Sequence, residues 1–273
     1  MANWRSYTLA RKEHTVVGEL LITDDVHSPQ RDNRRSVLVW LPPTYRLSER
    51  RYPVIYMHDG DNLFDAHGSY AGEWGVDETL TALAPGGIEA IVVGLPNMGE
   101  QRFLEYNPFG GAGEDYIRFI VDTVKPMIDD EFRTLRDAAH TCIAGSSMGG
   151  LISLFGYLRF PEVFRLCGAF SPVFWLEHDA LVQMVLAETA EPGRVYLDVG
   201  GKEGDVIMRL APEMFPTLDD AHNAYRDGVR QLRDGFKQNG YGKNLLYLED
   251  PNAAHNEPAW AARLPSALRF LLG

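Results

Sequence analysis

Six residues, Gly145-Ser-Ser-Met-Gly-Gly150, separate an apolar run, Thr141 to Ala144, from a stretch whose apolar positions Leu151, Leu154, Phe155 and Leu158 recur at three- and four-residue spacing. The run reads as a buried strand and the stretch as a helix with one apolar face. The chain must therefore turn from strand to helix inside the pattern Gly145-x-Ser147-x-Gly149. So tight a turn presses backbone against backbone on both sides of the serine, and a side chain at either flanking position would strike it. A strand feeding directly into a helix is the unit of a largely parallel sheet with crossover helices.

The rest of the chain fits that unit. Strand-like runs at Val16 to Ile22, Ser36 to Leu41 and Val54 to Met57 follow one another with no helix between the early ones, which predicts antiparallel pairing. The stretches Asp24 to Arg34 and Asn97 to Gly113 are turn-rich and read as surface loops. Short apolar runs at Ile88 to Leu95, Thr141 to Ala144, Leu166 to Phe170, Val195 to Val199 and Leu245 to Glu249 suit strands buried on both faces. Helical spacing separates them, through Ile117, Ile120, Val121, Val124 and Ile128, and again through Trp260, Leu264, Leu268 and Leu271. About eight mostly parallel strands with helices on both faces, in one domain over residues 1–273, is the plan of an α/β-hydrolase. A dinucleotide-binding sheet is disfavoured, because Gly111 and Gly113 are followed by Tyr116 where a third glycine belongs. A phosphate loop fails as well, since Glu203 follows Gly201-Lys202 and Tyr196 stands at the first glycine position.

In such a sheet the serine of the turn is lifted above the strand ends as a nucleophile, and the next N–H, that of Met148, faces the same space from a helix N-terminus. Ser146 occupies the variable position beside it and is expected to be structural. The general base should be a late histidine. His140 stands at the far end of the elbow strand, and His178 and His222 fall in helical patterns as solvated residues. His255 instead lies in Asp250-Pro-Asn-Ala-Ala-His255, read as the loop between the last strand and the last helix, at the carboxyl edge where open α/β sheets place their sites. Its alternative is a helix-capping residue packed on Trp260. The orienting acid should follow the strand Val195 to Val199, where Glu203 is the first choice and Asp205 the alternative.

A second oxyanion N–H is expected from Asp61 or Asn62, in the Gly-containing loop after Val54 to Met57. Calcium is disfavoured for Asp59, Asp61 and Asp65, because Leu63 takes the fifth ligand position of that loop. Trp74, Arg102 and Tyr106 are candidates for the substrate pocket, with a core role for Trp74 and an Arg102–Glu105 pair as the alternatives. Residues 205–223, with Met208, Met214 and Phe215, suggest a lid.

Charge narrows the partner. Asp and Glu total 38 against 26 Lys and Arg, a formal net charge of -12, which repels phosphate backbones and favours a neutral or weakly charged small molecule over nucleic acid. Met1 to His14 lacks the apolar core of a secretory signal and no segment has the length of a membrane span, so a cytoplasmic protein is expected. Cys142 and Cys167 read as inert core thiols, and neither a metal nor another cofactor is called for.

Across most of its length the chain resembles an esterase family that includes enterochelin and bacillibactin trilactone esterases, feruloyl and acetyl-xylan esterases and S-formylglutathione hydrolase, with mycolyltransferases as relatives. The match rests on His58-Asp-Gly-Asp-Asn-Leu-Phe-Asp65, Trp74-Gly-Val-Asp-Glu78, Arg102 with Glu105-Tyr106-Asn-Pro108, Gly145-Ser-Ser-Met-Gly-Gly150, Gly200-Gly-Lys-Glu203 and His255-Asn-Glu-Pro-Ala-Trp260. The resemblance implies a Ser147, Glu203, His255 triad that cleaves a carboxylic ester through an acyl-enzyme, with the acid either Asp or Glu across the family. An acyltransferase with the same triad, and a binding module on a retired hydrolase scaffold, are the competing readings.

Overall fold

The computed structural model describes residues 2–8, 13–176, 178–189 and 191–273. Among them one sheet has nine strands: β1 Arg5–Ser6, β2 Glu19–Ser28, β3 Asn33–Leu41, β4 Val54–His58, β5 Ile91–Leu95, β6 Thr141–Ser146, β7 Leu166–Phe170, β8 Arg194–Lys202 and β9 Leu245–Ala254. Their spatial order is β1-β2-β3-β5-β4-β6-β7-β8-β9. Pairing is antiparallel from β1 to β5 and parallel from β5 across to β9.

Both faces of the parallel part are covered. Along β5, Ile91, Val93 and Leu95 join a core shared with the helices Met148–Arg159 and Leu218–Gln238, while Val92 joins a second core shared with Val76–Leu83 and Glu257–Leu272. This explains the uninterrupted apolar runs, since alternate residues point to opposite faces and both faces exclude water. Cys142 and Cys167 lie in these two opposite cores, and burial raises both thiols above their ordinary range.

Three segments differ from expectation. The stretch Asp24 to Arg34 is largely a hairpin, because β2 runs on to Ser28 past an irregularity between Thr23 and Val26, where Asp25 adopts a φ of 65°. Its exposed ion pairs, Arg5–Asp24 and Arg34–Asp25, replace the apolar alternation that marks a half-buried strand. β9 continues through Asp250-Pro-Asn to Ala254, and the proline is tolerated because β9 is an edge strand. The periodic stretch around Ile117 is helical over 113–131 but contains a π-turn at Ile120–Val124. Pro126 follows it and has no N–H for the carbonyl four residues back. Within Met1 to His14, Met1 and Leu9 to Lys12 lie outside the described residues.

Strand order reverses at β4. The chain leaves β4 for β5 on one side, then crosses to β6 on the other. The crevice beyond the carboxyl ends of the strands at such a reversal is where open α/β sheets bind ligands. His58 ends β4 there, and Ser147 follows β6.

Candidate active site

Ser147 has φ 57° and ψ -122°, a conformation that L-residues adopt only when their surroundings enforce it. The enforcement is visible. The Ser147 N–H donates to the Phe170 carbonyl at 2.9 Å, and the Ser147 carbonyl accepts from the N–H groups of Leu151 and Val173, each at 3.1 Å. A Cβ on Gly145 would lie 2.9 Å from the Gly149 carbonyl carbon and 3.0 Å from His58 Cδ2, so the corner closes only with glycine there. Ser146, Ser147 and Met148 all line a cleft of about 700 Å³ at the strand ends, Ser146 and Met148 as buried residues. Met148 is the first residue of its helix, so its N–H has no partner within that helix.

His255 lines the same cleft. Its Nδ1 lies 3.1 Å from Glu203 Oε2, and its ring packs edge-on against Trp260 with centroids 5.0 Å apart. The helix after it is capped by Asn256, whose side chain accepts the Ala259 N–H. Glu203 is fully buried, and its Oε1 accepts from Ser171 Oγ and from the Gly200 N–H, each at 2.6 Å. With the carboxylate accepting on both oxygens, His255 carries its proton on Nδ1 and leaves Nε2 as the acceptor. Asp205, the alternative acid, is exposed on the helix Gly204–Leu210.

A buried network stands behind Glu203. Ser171 Oγ receives hydrogen bonds from Trp260 Nε1 at 3.0 Å and Arg263 Nη2 at 3.1 Å. Arg263 also pairs with Asp198 through Nε at 2.7 Å and Nη2 at 3.1 Å. Burial raises the Asp198 carboxyl, and the guanidinium opposes that rise. None of Ser171, Asp198 or Arg263 is signalled by the sequence, because residues far apart in the chain meet with no local pattern. His222 is also placed differently from expectation: it is half-buried, and its Nδ1 accepts the Gly204 N–H at 2.7 Å, holding the residue next to Glu203. His140 is exposed beside Asp137, and the side chain of His178 lies outside the described residues.

Of the expected oxyanion residues after β4, Asn62 has its N–H engaged and Asp61 is absent from the cleft wall. The Asn62 N–H donates to the Asp59 carbonyl at 2.9 Å, closing a 3-10 turn. Asp61 lines a separate small depression with Tyr7 and Phe64. The cleft is faced instead by His58, Asp59 and the side chain of Asn62. Burial pushes His58 down to about 3, so it is a neutral imidazole, with Nδ1 2.8 Å from Tyr116 Oη.

Arg102 lines the cleft but pairs with Asp59 rather than Glu105, through two 2.7 Å contacts. Burial alone would raise Asp59; the guanidinium and Asn97 hold it below its ordinary range. Glu105 is engaged by Arg35 at 2.6 Å. Tyr106 is buried beneath this pair, where its hydroxyl accepts the Asp59 N–H at 3.1 Å, and it is absent from the cleft wall. Trp74 is both core and wall, packing on Phe170 and Trp260. Asp59, Asp61 and Asp65 do not converge on a cation, since Asp65 accepts instead from Tyr7 and Thr15. Over 205–223, Val206, Arg209 and Leu210 reach the cleft, and Met208, Met214 and Phe215 do not line it.

The mostly parallel sheet with helices on both faces and a strained serine corner above the strand ends defines an α/β-hydrolase fold. Residues 28–271 match the Esterase family, described as putative esterase, and the chain belongs to that family. It is 27% identical over 256 residues to the uncharacterized protein YbbA of Bacillus subtilis, covering 88% of this chain and 93% of that one. The ferric enterobactin esterase of Salmonella typhimurium superposes with a TM-score of 0.72 at 18% identity, over 94% of this chain and 59% of that one, so this chain spans about three fifths of that protein. The BES protein of Bacillus cereus gives 0.71 at 18% identity, over 98% of this chain and 100% of that one. Among the described residues no helix is long and apolar enough to cross a membrane.

Proposed function

We propose that the chain is a serine carboxylic-ester hydrolase. Ser147 Oγ attacks the ester carbonyl while His255 Nε2 takes its proton, and the Met148 N–H receives the developing oxyanion. His255 then gives the proton to the leaving alcohol, and water, deprotonated by the same histidine, cleaves the acyl-enzyme. Glu203 orients the imidazole and stabilises its protonated form. Every step is an acyl or proton transfer among these side chains, substrate and water.

The observation that carries this reading is the fully buried Glu203, fixed on one oxygen by Ser171 and Gly200 and offering the other to a histidine in the cleft that Ser147 lines. Family membership supports it. Trp74, Trp175 and Trp260 on the cleft wall suit an ester with a bulky or aromatic part, such as a siderophore lactone or an aromatic acid ester. Turnover of p-nitrophenyl butanoate by the wild type and Ser147→Ala tests the reading. The variant falls to background if it holds, and wild-type activity in the variant overturns it.

A further inference from the structure

Besides the groups assigned above, Glu257 brings an acidic side chain to the cleft. It is nearly fully buried, at 8% exposure, and among the described residues it forms no ion pair. Asp59, the other carboxylate on the wall, is neutralised by Arg102. The carboxylate accepts from Asn62 Nδ2, at 3.3 Å to Oε1, and from its own backbone N–H. Asn62 is itself fixed, since its Oδ1 accepts the Tyr70 N–H at 2.9 Å. Burial raises the Glu257 carboxyl above its ordinary range, and nearby Asp59 adds to the rise. A carboxyl held this way has acceptor positions to spare: of up to four, its own backbone N–H and one long hydrogen bond from Asn62 engage only part.

Its place in the chain says which part of a substrate it meets. Glu257 stands two residues after His255, at the start of the helix Glu257–Leu272. The histidine must face the leaving oxygen to protonate it, so its flank is the alcohol side of the ester.

We propose that Glu257, braced by Asn62, forms a subsite for the alcohol portion of the substrate and selects esters whose alcohol carries a further hydroxyl or N–H donor. This rests on the hydrolase reading and deepens it. The donor supplies a further, shorter hydrogen bond to Glu257, and an alcohol without one leaves acceptor positions of a buried carboxylate empty, which is the strong form of discrimination. A charge-assisted hydrogen bond of this kind corresponds to about tenfold to a hundredfold in kcat/KM.

Two esters with one acyl group test it, because both give the same acyl-enzyme and differ only in the alcohol: 2,3-dihydroxypropyl butanoate and propyl butanoate. The wild type is expected to favour the dihydroxypropyl ester by about tenfold or more in kcat/KM, Glu257→Leu to bring the ratio near one, and Glu257→Gln to give an intermediate ratio. A wild-type ratio near one, or a ratio unchanged in Glu257→Leu, overturns the subsite; a merely structural role lowers both rates together and leaves the ratio intact. Equilibrium binding of the same two esters to Ser147→Ala, with and without Glu257→Leu, separates this from the chemistry. The preference must appear there and vanish in the double variant, and its absence sinks the subsite even where hydrolysis by the wild type is secure. Its presence without any wild-type hydrolysis sinks the hydrolase reading instead.

Discussion

Glu203 Oε2 stands 3.1 Å from His255 Nδ1, while the other oxygen of the same carboxylate is held at 2.6 Å by both Ser171 Oγ and the Gly200 N–H. Two short donors on one oxygen leave the carboxylate a single orientation, so the imidazole it meets is held in one plane and one tautomer.

That relationship separates the two acids of the Gly200-Gly-Lys-Glu203-Gly-Asp205 loop. Glu203→Gln keeps the shape but loses the charge that favours the protonated histidine, and kcat is expected to fall by about 10³ to 10⁴. Asp205, exposed to solvent, should as Asn leave kcat near wild type. Steady-state kinetics on one ester checks both, and the reverse order of effects would transfer the role to Asp205.

Arg102 is the counter-charge of Asp59 at the cleft floor, and its guanidinium lies over the Tyr106 ring at 4.9 Å. Arg102→Met strands a mostly buried carboxylate, and the unfolding free energy is expected to drop by about 3 kcal/mol in urea titration. Adding Asp59→Asn should recover part of that loss. Equal stability of the single and double variants would show that the pair contributes nothing.

Asp77, in the first turn of the helix Val76–Leu83, is fully buried, with Oδ2 accepting the Val17 N–H. Burial, with the Glu78 carboxyl beside it, pushes its pKa up to about 8 from 3.8. Between those values the folded chain holds a proton that the unfolded chain has released. This group's contribution to stability is therefore fully present below about pH 4 and is lost as the pH rises toward 8. Asp77→Asn removes the titration, so the stability of the wild type relative to the variant should decline from pH 4 to 8. A difference independent of pH would mean that Asp77 is ionised throughout.

The serine corner was legible because its constraint is local: the strand, the two glycines and the helix adjoin, and Gly145 has no room for a Cβ. The place of His255 at the cleft was legible from its position after the last strand. The polar half of β9 was not, since Asp250-Pro-Asn has the composition of a turn, and only pairings such as Gly200 with Asp250 and Lys202 with Ala254 make it a strand. Nor was the support of Glu203, where Ser171 and Arg263 meet across 92 residues of chain. Arg102 was read as a cleft residue from its type, but its pairing with Asp59 rather than its near neighbour Glu105 is a product of the fold.

Ser147 Oγ is the proposed attacking atom. Reaction with a fluorophosphonate probe, followed by tandem mass spectrometry of the peptide containing Ser146 and Ser147, tests it most directly. One adduct on Ser147, absent from Ser147→Ala together with ester turnover, is the predicted result. An adduct on another residue, or turnover that survives in Ser147→Ala, would contradict it.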